Sequence, residues 1–113
     1  MASRQSTADF VLEQIADAGV VRARKMFGEY GIYCNEKFVA LICDDQLFVK
    51  QTLAVKELLG KFAEGAPYPG AKPHFLVAGE HLEEREWLVR LVRLTASELP
   101  LPVKKPKSPR KLN

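Results

Sequence analysis

Disulfide chemistry has little to work with in this chain: its 113 residues hold two cysteines, Cys34 and Cys43. On neighbouring antiparallel strands joined by a tight turn at Glu36-Lys37, Cys34 would face Val39, and Cys43 would lie about 13 Å further along at ~3.3 Å per residue. A bridge needs Cα atoms within about 7 Å, so two reduced, mostly buried thiols are expected. Histidine is equally scarce. His74 and His81 have neither helical nor zinc-site spacing, so no metal site and no cofactor are expected. No Ser-His-Asp or Cys-His signature is present, and the expectation is a protein that is not an enzyme. No apolar run approaches the roughly 18 residues of a membrane span. The opening Met-Ala-Ser-Arg-Gln-Ser-Thr-Ala-Asp lacks the apolar stretch of a signal peptide, which points to a cytoplasmic protein with no membrane partner. No internal repeat is visible.

An excess of one charge sign is also missing once the chain is divided. Formal net charge is +3. Residues 103–113 carry Lys104, Lys105, Lys107, Arg110 and Lys111 with no acid, which leaves 12 basic against 14 acidic residues for the rest. The body therefore offers no general attraction for a phosphate backbone, and basicity belongs to the tail. That tail, rich in lysine and proline, is expected to be disordered. The expected organisation is one domain over residues 1–102 followed by the tail at 103–113.

What is present reads as α+β. Ser6-Thr7-Ala8-Asp9 offers a variant capping box ahead of Ala8, Val11, Leu12 and Ile15, which share one helical face until Gly19 ends the helix. Residues 20–26 read as a connector bearing Arg22, Arg24 and Lys25. From Tyr30 the period shortens: strands are expected at 31–34, 37–43 and 46–50, separated by the polar turns Asn35-Glu36 and Asp44-Asp45, an antiparallel meander. Thr52 is placed to cap a helix running to about Glu64 with Leu53, Val55, Leu58, Leu59 and Phe62 inward. A proline-punctuated loop over 66–73 follows. A short fourth strand over 74–78 is broken by Gly79. The last helix is expected from about Leu82 to Glu98, with Trp87, Leu88, Leu91, Val92 and Leu94 inward and Glu83, Glu84 and Glu86 in its first turn, where the helix dipole favours acids. The expected fold is two-layered, in the order α-β-β-β-α-β-α: an antiparallel sheet of a three-strand meander plus a fourth short strand, with helices on one face.

The densest stretch is Arg-Lys-Met-Phe-Gly-Glu-Tyr-Gly-Ile-Tyr at 24–33. Gly28 and Gly31 match neither a P-loop nor a dinucleotide fingerprint, so turn or bulge geometry is the preferred reading. Phe27, Tyr30 and Tyr33 are candidates for base stacking, against a preferred assignment of some of them to the core. Arg24 and Lys25 are candidate contacts for nucleic acid, an anion or an acidic partner; pairing with Glu29, Asp44 or Asp45 is the structural alternative. Asp44 and Asp45 read as turn residues in preference to a catalytic carboxylate pair.

Over about residues 8 to 98 the chain resembles the TfoX/Sxy N-terminal-domain family. The resemblance is carried by the 24–33 block, by Phe38-Val39-Ala40-Leu41-Ile42 and Asp45-Gln46-Leu47-Phe48-Val49-Lys50, by Lys72-Pro73, and by Glu86-Trp87-Leu88-Val89-Arg90. It implies a fold like those of secretion chaperones and YjbR-type proteins, no established catalytic residues, and a role in competence-type transcriptional regulation. Regulators of this family work with the cyclic-AMP receptor protein, so the implied partner is a protein such as a transcription factor. The expectation is a non-enzymatic regulatory domain acting through protein contacts. The alternative is a direct nucleic-acid-binding module in which Arg22, Arg24, Lys25 and the tail cations engage phosphates. A small-ligand binder or enzyme using the 67–73 loop is third, and a homodimer through a sheet edge is a further candidate assembly.

Overall fold

The computed structural model describes residues 3–100. Helix α1 (Gln5–Gln14) runs into a 3-10 turn at Ala16–Ala18. Four strands follow in direct succession: β1 (Val21–Met26), β2 (Glu29–Cys34), β3 (Lys37–Cys43) and β4 (Gln46–Val49). Then come α2 (Leu53–Leu59), β5 (Glu64–Gly65), β6 (His74–Val77), α3 (Gly79–Leu82) and α4 (Arg85–Glu98). All strand pairs are antiparallel, in the spatial order β1-β2-β3-β4-β6-β5.

The α+β class and the one-sided helical layer stand as the residues indicate, but the sheet is wider than the meander read from the sequence. Residues 20–26 are not a connector. Val21 and Ala23 pack on the core while Arg22, Arg24 and Lys25 remain exposed, a burial alternation characteristic of an edge strand. The turn that makes β1 possible is Phe27-Gly28, with φ of 51° and 81°. Asn35-Glu36 (52°, 69°) and Asp44-Asp45 (54°, 58°) repeat the same left-handed pair. Two-residue loops with positive φ at both positions match the right-handed twist of the flanking strands. Three such loops in succession fold residues 21–49 into a four-stranded meander. Cys34 consequently pairs with Lys37, not Val39, and both cysteines are free and buried.

Helix boundaries also shift for identifiable reasons. The Ser6–Asp9 box is unused. Asp45, from the β3–β4 turn, accepts the Arg4 N–H at 2.9 Å and the Thr7 hydroxyl at 2.8 Å, so a distant carboxylate anchors the start of α1. Thr52 does cap α2, its hydroxyl accepting the Val55 N–H at 3.4 Å. That helix stops at Gly60 (φ 66°) instead of reaching Glu64, freeing residues 64–65 to pair with β6. Leu53 and Leu58 are exposed, leaving Val55 as the residue α2 buries fully. Gly79 opens the short α3 directly after β6, and α4 starts at Arg85, not Leu82.

The core lies between the sheet and the helices. Ile32, Val39, Ile42, Leu47, Val49 and Phe75 project from the sheet's inner face onto Val11, Ile15, Val55, Leu88, Leu91 and Val92, all of them fully buried or nearly so. Burial of such side chains stabilises by roughly 1.5–3 kcal/mol each before the entropy of ordering is counted. Two arginines bind the helical layer from outside: Arg85 donates to the Glu13 carbonyl at 2.9 Å and Arg93 to the Asp17 carbonyl at 2.8 Å.

Candidate contact surface on the outer face of the sheet

The face turned away from the helices is also partly apolar. Strand β3 carries the run Phe38-Val39-Ala40-Leu41-Ile42-Cys43; Val39, Ala40 and Ile42 enter the main core, while Leu41 and Cys43 form a second, smaller cluster with Phe48. Met26, Phe38 and Leu76 flank that cluster. Glycine makes room for it. A Cβ on Gly31 would come within 2.5 Å of the Met26 methyl and 3.0 Å of the Phe38 ring; one on Gly65 would come within 3.1 Å of the Phe48 ring. Between this cluster and the loop bearing Pro67 and Tyr68 lies a trough of about 540 Å³, with Met26, Phe27, Phe38, Leu41 and Cys43 in its wall and Glu29 as its acid. Burial pushes the Cys43 thiol pKa up, with the nearby Glu29 carboxylate adding to the shift, so the thiol stays protonated.

Phe27 stands at the rim of the trough, fully exposed. An aromatic residue in the left-handed region is a conformational outlier, and holding it there costs about 1–2 kcal/mol. The fold gains no burial from this side chain. Of the three aromatics in the 24–33 block, Tyr30 is core, Tyr33 is half-buried and Phe27 is neither. The hairpin tip beneath it is anchored: the Ser3 N–H donates to the Gly28 carbonyl at 3.0 Å, the Ser3 hydroxyl donates to Glu29, and the Asp44 N–H reaches the same carboxylate at 3.2 Å.

A register shift between Ile32 and Tyr33 gives β3 an extra residue, and Phe38 comes to lie opposite Tyr33. Their rings stack with centroids 5.1 Å apart. The Arg22 guanidinium sits 4.4 Å over the Tyr33 ring and the Lys50 ammonium 4.6 Å over Phe38, closing the stack at both ends. Burial lowers the Lys50 pKa. Arg22 also meets Glu36 at 3.6 Å, an exposed pair of small energetic weight.

The cations singled out from the sequence are thus divided by the strand. Arg22 and Arg24 lie on the outer face; Lys25, one residue on, turns to the other. Pairing of Arg24 and Lys25 with Glu29, Asp44 or Asp45 does not occur: Glu29 holds Ser3, Asp45 pairs with Arg4 at 3.2 Å, and among the described residues neither Arg24 nor Lys25 has an ion-pair partner. Lys104, Lys105, Lys107, Arg110 and Lys111 lie outside the described residues. The trough itself was not anticipated. Its signal was the unbroken apolar run in β3, since a strand with one solvated face alternates.

Fold and surface together define a class: an open antiparallel sheet, helices on one face, and an apolar trough with an exposed aromatic on the other. The family described as the TfoX N-terminal domain matches residues 13–99, and the chain belongs to that family. A protein of Spirochaeta aurantia, described as an uncharacterized 12.7 kDa protein in the trpE 5′ region, is 41% identical over 102 residues, covering 90% of this chain and 88% of the relative. Among the described residues no helix is long and apolar enough to cross a membrane.

Proposed function

We propose that the chain is a non-enzymatic regulatory domain that acts through protein contacts, in transcriptional control of the kind associated with its family. The outer face of the sheet is the contact surface. The single observation that carries this reading is Phe27: a fully exposed aromatic, held at φ 51° on an anchored hairpin tip beside an apolar trough. A residue that burdens the fold and fills no core fits a partner's surface, where aromatic anchors contribute much of the binding energy. Arg24, exposed on the same face and without an ion-pair partner among the described residues, favours a partner with acids around its apolar anchor. Direct reading of nucleic acid has weaker support, because the outer-face rings of Tyr33 and Phe38 already stack on each other and on cations.

A photo-crosslinking phenylalanine analogue at position 27 of the full chain tests this in host cells. The expected result is a protein adduct, identified by mass spectrometry, whose purified partner binds the native chain and binds Phe27→Ala roughly tenfold more weakly, the effect of a modest hot spot. In parallel, anisotropy with duplex DNA at two salt concentrations should show no dependence on Arg24 and Lys25. Salt-sensitive DNA binding lost in an Arg24→Ala, Lys25→Ala chain would replace this reading with the nucleic-acid one.

A further inference from the structure

The two edges of the sheet are built differently. At one end β5 is two residues long and runs into a proline-rich loop, a short edge that offers little template. At the other, β1 presents six residues, about 20 Å of backbone. Its hydrogen-bonding parity follows from the register. The Asn35 N–H donates to the Val20 carbonyl at 2.8 Å, and the tight turn closes on Met26 opposite Glu29. Alternate residues from Val20 to Met26 therefore bond to β2, and the intervening Val21, Ala23 and Lys25 point their N–H and C=O groups to the open side. Among the described residues those backbone groups have no backbone partner.

Charge decides what the open edge accepts. A second copy pairing antiparallel through β1 must set these outward-facing residues against each other. Centred on Ala23, that register puts Arg22 opposite Arg24; shifted by two residues either way, it puts Arg22 opposite Arg22 or Arg24 opposite Arg24. Like charges directly opposite destabilise a strand pair, so β1 refuses itself.

We infer that β1 is an acceptor strand: an extended acidic segment of a partner protein adds to it antiparallel, as a seventh strand. This rests on the protein-contact reading above and specifies the partner's chemistry. Opposite Lys25, Arg24, Ala23, Arg22 and Val21, in that order, the complementary segment reads acidic, acidic, apolar, acidic, apolar. Main-chain hydrogen bonds to Val21, Ala23 and Lys25 hold it, the acids meet Arg22, Arg24 and Lys25, and its apolar residues extend the inner face that Val21 and Ala23 already join. The weak Arg22–Glu36 pair is exposed and is released at little cost.

The probe is a synthetic peptide containing Glu-Glu-Val-Glu-Val within a neutral flank, titrated against the full chain at low and high salt. Binding should weaken with salt, and hydrogen exchange should slow at the amides of Val21, Ala23 and Lys25. Ala23→Pro removes an N–H that β2 does not use, so the sheet should survive while affinity falls about tenfold or more, the scale of losing one or two hydrogen bonds. Should that variant not fold, methylating the peptide's own amides that face β1 gives the same loss on the native protein. Arg24→Glu should weaken binding to this peptide, and a lysine peptide, Glu-Lys-Val-Glu-Val, which sets its lysine opposite position 24, should restore it. Equal binding by the methylated peptide, equal binding of the lysine peptide to the native chain, no binding at all, or a dimer whose β1 amides are protected would each overturn the proposal. If the cross-link at position 27 succeeds while the peptide fails, the contact surface stands and the acceptor strand falls.

Discussion

The two faces of one sheet use the same strands for different ends. The inner face presents Ile32, Val39, Ile42, Leu47, Val49 and Phe75 to a complete helical layer, and all are sealed. The outer face presents Leu41, Cys43 and Phe48 beneath a proline loop that leaves a trough with one exposed phenylalanine at its rim. Leu41 and Ile42 are neighbours in sequence and yet belong to different clusters. Stability should therefore depend on one face, and recognition on the other.

The largest effect should separate them directly. Ile42→Ala leaves a cavity in a sealed core and should lower unfolding free energy by about 3–4 kcal/mol. Leu41→Ala opens onto a trough and should lose the transfer contribution alone, about 2 kcal/mol or less. Urea denaturation of both variants measures the difference, and equal losses would erase the distinction between the faces. Gly31→Ala sharpens it next. The added Cβ displaces the flexible Met26 methyl and presses on a Phe38 ring held in the aromatic stack, for an expected loss of about 1–2 kcal/mol. A stability at or above that of the native chain would mean the outer cluster is loosely packed.

Phe27→Asn should move the opposite way. It installs Asn-Gly in a turn whose two central residues both have positive φ, and should raise stability by about 1 kcal/mol while weakening partner binding. A destabilised variant would show that Phe27 serves the fold after all. The smallest effect concerns Asp45. Its hydrogen bonds from the Arg4 N–H and then from the Thr7 hydroxyl hold its carboxyl below the ordinary 3.8. A depressed folded-state pKa contributes stability that is present above 3.8 and is lost as pH falls through the lower folded value. Melting temperatures of the native chain and Asp45→Asn should converge in that acid range, and a constant offset through it would remove the Asp45 carboxylate as the anchor of the α1 start.

Much of this was legible in the residues. The family block at 24–33, the meander, the Thr52 cap and the inward faces of the first and last helices all follow from local pattern. Strand β1 was hidden because three of its six side chains are cationic, which reads as a loop until a neighbour supplies hydrogen bonds. The end of α2 was hidden because Gly60 stops the helix before Gly65, and the first of two candidate stop signals prevailed. The anchor of the α1 start could not have been read at all, since Asp45 is 41 residues from Arg4.

The sequence by itself determined the alternation of helix and strand, the family, and an inner face apolar enough to require covering. Those properties are local periodicities, and periodicity survives without knowledge of neighbours. Only the tertiary structure decided which strand became an edge, that Arg24 and Lys25 have no ion-pair partner among the described residues, and that Phe27 was left in solvent beside a trough. Exposure and pairing are properties of what lies across from a residue, and three left-handed turns brought those partners together.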